Sequence, residues 1–92
     1  MPRFLIEVPH SENITECKRA VAVFLDTGSH FLTRAEWGCK DGEHKAWMII
    51  DVATKEEARN VIPTAFRSDA HIVQLNTFSL RDVDDARSAH RG

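Results

Sequence analysis

The pattern of apolar and polar positions divides the chain into alternating strand-like and helix-like stretches. Phe4, Ile6 and Val8 alternate with Arg3, Leu5 and Glu7, which predicts a first strand with its even positions toward a core, ended by Pro9, and with His10 continuing the even parity. Asn13 followed by Glu16 reads as a capping box. Cys17, Ala20, Val21, Phe24 and Leu25 then recur at helical spacing, predicting a helix that runs to about Asp26 and is stopped by Gly28. His30 to Cys39 and His44 to Val52 read as the second and third strands, joined at Asp41-Gly42, the dipeptide that suits a two-residue type I′ turn. Counting outward from that turn pairs Lys40 with Glu43, Cys39 with His44, Trp37 with Ala46, Ala35 with Met48 and Thr33 with Ile50. Ala35, Trp37, Ala46, Met48, Ile50 and Val52 then share one face, and Arg34, Glu36, Lys45 and Asp51 the other. Thr54 with Glu57 is a second capping box. It opens a short helix with Ala58, Val61, Ile62 and Ala65 inward, which Pro63 interrupts with a bend through Arg67. Ala70 to Phe78 reads as a fourth strand with Val73 and Leu75 toward the helices and Gln74 and Asn76 away from them. Residues 80–92 form a polar tail with weak helical character around Val83 and Ala86.

The order β-α-β-β-α-β over residues 1–79 is that of a ferredoxin-like α+β domain. Its four-stranded antiparallel sheet has the spatial order 4-1-3-2, with two helices on one face. The expected core is Phe4, Ile6, Val8, Val21, Phe24, Leu25, Trp37, Met48, Ile50, Val61 and Leu75. The opposite face of the sheet mixes Leu5, Leu32, Trp47 and Ile49 with Glu7, Arg34, Glu36, Asp51 and Gln74, a mixture that a face-to-face homodimer explains.

In this layout, and in the segment A-W-M-I-I-D-V-A-T-K-E-E-A followed by I-P-T-A-F-R, the chain resembles the dimeric α+β-barrel superfamily, which includes muconolactone isomerase and small monooxygenase-like bacterial proteins. W-G-C with the following G-E-H is similar to a small bacterial family of the same layout with no assigned chemistry. The resemblance implies a homodimeric barrel that binds or transforms a small organic molecule, isomerase- or monooxygenase-like, without a bound organic cofactor. It carries no catalytic residue onto this sequence.

Composition narrows the functions. With 92 residues the chain makes one small domain of modest stability, for which oligomerisation is a common remedy. Its formal net charge of −2 and the lack of a basic block give a nucleic-acid or anionic-membrane surface no electrostatic support. The start of the chain lacks a leader pattern and no apolar run reaches membrane-span length, so the expected location is cytoplasmic, with the two cysteines reduced. An RNA-recognition module would need stacking aromatics in its third strand, and a copper chaperone Cys-x-x-Cys after its first strand. Neither is present. Asp26-Thr27-Gly28-Ser29 spells the aspartic-protease core motif, but here Thr27-Gly28 reads as a helix stop.

The predicted topology gathers His10, Cys17, Cys39, His44 and, at its margin, His71 at one end of the sheet. Two thiols and two imidazoles suit tetrahedral zinc, with nickel or copper as other candidates, although the spacings match no common zinc module. The same set offers a Cys–His catalytic pair from Cys39, His44 and His10, or a thiol sensor. The bland alternative is a buried Cys17 beside ordinary polar hairpin residues. Trp37, Trp47 and Glu36 are the candidate ligand-binding residues, the aromatics by stacking on a flat molecule and Glu36 as acid, base or clamp.

Overall fold

The computed structural model describes residues 1–83. It is a small α+β structure: β1 (Arg3–Pro9), α1 (Ile14–Asp26), β2 (Glu36–Trp37), β3 (Lys45–Asp51), α2 (Lys55–Val61) and β4 (His71–Leu75), with 3₁₀ turns at Leu32–Arg34, Cys39–Asp41 and Thr64–Phe66. A further helical turn begins at Leu80. The strands form one open antiparallel sheet of order β2-β3-β1-β4, or β4-β1-β3-β2 from the opposite edge. No helix among the described residues is long and apolar enough to cross a membrane.

The register explains which side is the core. β1 pairs with β3 as Phe4↔Ile50, Ile6↔Met48 and Val8↔Ala46, and with β4 as Ile6↔Ile72, so the even positions of three strands lie side by side. All seven of these side chains are buried. Ala20 and Phe24 of α1, Ala58 of α2 and Ile62 just beyond it are buried too, and all but Ala20 join the strand residues in one core cluster. Both helices therefore cover the same face. Phe24 is the centre of this packing, fully buried with Trp37 edge-on at 5.0 Å and Phe66 at 5.7 Å.

The helix ends follow their capping chemistry. Asn13 accepts the Thr15 and Glu16 N–H groups through its side chain, while its own N–H goes to Ser11 Oγ rather than to Glu16. At α2, Thr54 Oγ1 accepts from Glu57 N–H and the Glu57 carboxylate reaches back to Ala53 N–H. Thr27 and Gly28 end α1: the Thr27 hydroxyl donates to the Phe24 carbonyl, and Gly28 adopts φ 69° with its N–H on the Leu25 carbonyl. The D-T-G-S stretch is thus a helix stop. Ser79 caps the turn at Leu80, its hydroxyl accepting from Asp82 N–H while the Asp82 carboxylate accepts from the Ser79 N–H and hydroxyl. Those bonds hold the Asp82 carboxyl below its ordinary pKa. The helical character expected around Ala86 falls outside the described residues.

Several expectations are corrected. The second strand is two residues long rather than His30 to Cys39, because the preceding segment satisfies itself locally. Leu32 N–H donates to Ser29 Oγ, Thr33 Oγ1 to the His30 carbonyl, and Thr33 N–H to the Ser29 carbonyl. Leu32 is consequently buried in the core rather than on the open face. The hairpin is not a two-residue type I′ turn. Only Gly42 takes a left-handed φ, 82°, and residues 39–41 coil into a 3₁₀ turn, although Trp37↔Ala46 keeps the expected register. The β4 phase is inverted. Pairing with β1 places Ile72 beside Ile6 in the core and leaves Val73 exposed, with Leu75 on the open-face parity. Leu25 is 53 % exposed, because the buried stripe of α1 is narrower than the periodicity suggested, and Ala65, cut off from α2 by Pro63, is exposed.

Replacing Phe24 with Ala should cost about 3–5 kcal/mol, much of the stability of a domain this small. A denaturant midpoint shift equivalent to less than about 1 kcal/mol would show that the aromatic cluster does not hold α1 on the sheet.

Candidate functional site

The site begins where the apolar strand pattern runs out. His10 follows β1 on the buried-face parity, and its N–H donates to the His44 carbonyl at 3.0 Å, extending the β1–β3 ladder one pair beyond Pro9↔Lys45. The two histidines are therefore cross-strand neighbours, with ring centroids 5.6 Å apart and planes at 88°. Trp37 closes the inner side, edge-on to His10 at 5.5 Å.

The thiols come from the elements lying above this end of the sheet. Cys17 sits in the first turn of α1, its N–H making the first helical bond to the Asn13 carbonyl, so its sulfur lies near the positive end of the helix dipole. Cys39 opens the 3₁₀ turn that follows Gly38. Gly38 cannot carry a side chain: a Cβ there would lie 2.7 Å from the Glu43 carbonyl oxygen and 2.7 Å from the Trp47 ring. Its carbonyl accepts from both Asp41 and Glu43, and its N–H donates to the Lys45 carbonyl, which folds the loop back so that Cys39 faces α1.

The four side chains converge. His10 Nε2 lies 3.2 Å from Cys17 Sγ and 3.2 Å from Cys39 Sγ, the two sulfurs are 3.3 Å apart, and one ligand atom from each of His10, Cys17, Cys39 and His44 lies within 4.8 Å of every other. All four residues are half-buried, and both cysteines are free thiols. Nδ1 of His10 and Nδ1 of His44 are buried with no hydrogen-bond partner among the described residues, an uncompensated polarity that native structures rarely leave in place.

The electrostatics favour neutral groups. Burial first, then the neighbouring His44, lowers the His10 pKa. Burial first, then the hydrogen bond and charge of Cys17, raises that of Cys39. An activated thiolate–imidazolium pair of Cys39 with His10 needs the opposite of both shifts. Two imidazoles and two thiols at this spacing are compatible with a transition-metal donor set.

The other candidates lie elsewhere. His71 pairs with Glu7 on the opposite parity, is exposed and stays outside the group. Trp37, Trp47 and Glu36 do not share a surface. Trp37 is on the helix-covered face and borders an open groove of about 630 Å³ between α1 and the Cys39 turn. Trp47 lies on the other face, its ring against Gly38 and its indole N–H donating to Glu7 Oε1 at 3.1 Å, while Glu36 opposite it is exposed. Trp47 is thus engaged in holding the loop. A second groove, of about 730 Å³ and bordered by Arg3, Asp51 and Gln74, lies at the far end of the sheet from the cluster. The direct His10–His44 pairing is the feature that sequence reasoning missed. The equal parity of the two residues was readable, but their adjacency needs the long-range β1–β3 register.

No protein-family model, curated protein or solved structure matches this chain.

Substituting Gly38 by Ala should destabilise the domain by about 1–3 kcal/mol through overpacking, and should shift the Trp47 fluorescence. Unchanged stability and an unchanged spectrum would mean that the loop does not depend on this close approach.

Proposed function

We propose that this is a zinc-binding protein, its metal held by His10, Cys17, Cys39 and His44. The observation that carries the reading is the convergence of four donor atoms within 4.8 Å from three separate parts of the chain: the β1–β3 end, the start of α1 and the 38–44 loop. Tetrahedral zinc with bonds of about 2.0–2.3 Å places its donors about 3.3–3.8 Å apart, close to the 3.2–3.3 Å separations among His10, Cys17 and Cys39. Two thiolates and two imidazoles suit zinc better than nickel, which favours square-planar or tetragonal nitrogen and oxygen sites. Four protein donors leave no open position for a substrate, so the role is structural or regulatory rather than hydrolytic. The ion would tie α1 and the loop to the end of the sheet. A reduced thiol pair of this kind fits a reducing compartment such as the cytoplasm.

The purified chain should bind one zinc per molecule. Cobalt substitution should give the intense visible bands of a tetrahedral ion and a thiolate-to-metal charge-transfer band. At a hundredfold excess of free metal over Kd, zinc should add about 2.7 kcal/mol of stability, raising Tm by about 10–20 °C. His44→Ala and Cys17→Ser should each remove most of that gain. A cobalt spectrum lacking thiolate bands, or a Tm indifferent to zinc, sinks the proposal.

A second reading, a homodimer of ferredoxin-like subunits as the α+β-barrel resemblance implies, draws support from the open face. Leu5 pairs with Ile49 on one side and Val73 on the other, making an apolar row across three strands in which Ile49 is 62 % and Val73 42 % exposed. Arg3 and Glu7 flank Leu5 on the same face, so a twofold axis along this row sets each Arg3 over the Glu7 of a second copy. The groove beside Trp37 is where a small organic ligand would then sit. Light scattering at micromolar concentration should find a dimer that Ile49→Asp converts to monomer without loss of helical signal. A monomeric unmodified chain refutes this reading.

A further inference from the structure

The two halves of the donor set differ in their surroundings. Cys17 and Cys39 both border the open groove between α1 and the loop, together with Lys18, Val21, Leu25 and Trp37, whereas neither histidine lines it. The sulfurs are therefore the side of the centre that a solute in the groove meets first. They also lie 3.3 Å apart, across 22 positions of sequence. A disulfide needs about 2.05 Å, so the sulfurs must close by only about 1.2 Å. Cys39 lies on a short 3₁₀ turn flanked by Gly38 and Gly42, outside the strands of the sheet.

We propose that Cys17 and Cys39 form a two-electron redox site, oxidised through the groove by a small hydroperoxide, and that oxidation ejects the metal. This rests on the zinc reading above. One thiolate attacks a peroxide oxygen. The O–O bond breaks, the sulfur becomes a sulfenic acid, and the departing oxygen leaves as an alcohol, or as water from hydrogen peroxide, after taking a proton. The second thiolate attacks that sulfur, the S–S bond forms, and hydroxide leaves to become water with a second proton. In sum, two thiolates, one hydroperoxide and two protons give one disulfide, one alcohol and one water, and the peroxide takes both electrons. The disulfide retains no thiolate donor, so the ion keeps only His10 and His44 of its four ligands and dissociates. The new bond replaces the metal as the link between α1 and the loop, so the domain stays closed while its metal is released. A dithiol reductant with zinc reverses the change.

The test uses the zinc-loaded chain, its metal content measured first, and hydrogen peroxide as the probe. Released zinc is followed with a chromogenic chelator, and the Cys17–Cys39 link by mass spectrometry of a non-reduced digest. The expected result is one zinc released per disulfide formed, at the same rate, with zinc rebound after dithiothreitol treatment. Cys39→Ser, if it still folds, should form no internal disulfide. A chain that takes up no zinc overturns the metal reading, and this proposal with it. A loaded chain that resists peroxide, releases zinc without the link, or forms the link and keeps its zinc overturns the redox proposal alone.

Discussion

The antiparallel register of β1 on β3 is the constraint on which the rest depends. It places Phe4, Ile6 and Val8 beside Ile50, Met48 and Ala46, so one face of the central strand pair is continuously apolar and both helices pack there. The same register carried one pair further brings His10 opposite His44. A slip of one residue would send the core side chains to the open face and separate the imidazoles in the same step. Core and candidate site are thus two consequences of one alignment, and the pressure to bury the apolar row also positions the polar pair.

At that end of the sheet, burial works against charge. Desolvation lowers the basicity of His10 and raises the pKa of Cys39, and two buried ring nitrogens lack partners. Left as they are, such groups weaken a small domain. In the proposed centre a divalent cation would ionise the thiols and engage one nitrogen of each imidazole.

The two faces of the sheet divide the remaining tasks. On the helix side, Phe24, Trp37 and Phe66 pack edge to face and His10 continues the aromatic contacts toward the cluster. On the open side, Trp47 presses on Gly38 and reaches Glu7, fixing from behind the loop that presents Cys39 in front. A tryptophan that looks like a free stacking platform is therefore a support for the site on the opposite face.

Local chemistry was legible in the sequence alone. The alternation in β1, the caps at Asn13 and Thr54, the stop at Thr27-Gly28 and the interruption at Pro63 each depend on neighbours within a few residues, and each appears in the structure close to where the sequence places it. The gathering of His10, Cys17, Cys39 and His44 was legible as well, because strand parity and helix phase are local quantities. What the sequence could not decide required distant partners. The β1–β4 register turns Ile72 inward in place of Val73, and the close approach of Trp47 constrains the loop at Gly38. In each case a local preference was weak enough for a tertiary contact to override it. The separations among the four side chains were decided there too, since they depend on how α1 sits over the sheet, a distance no local pattern encodes.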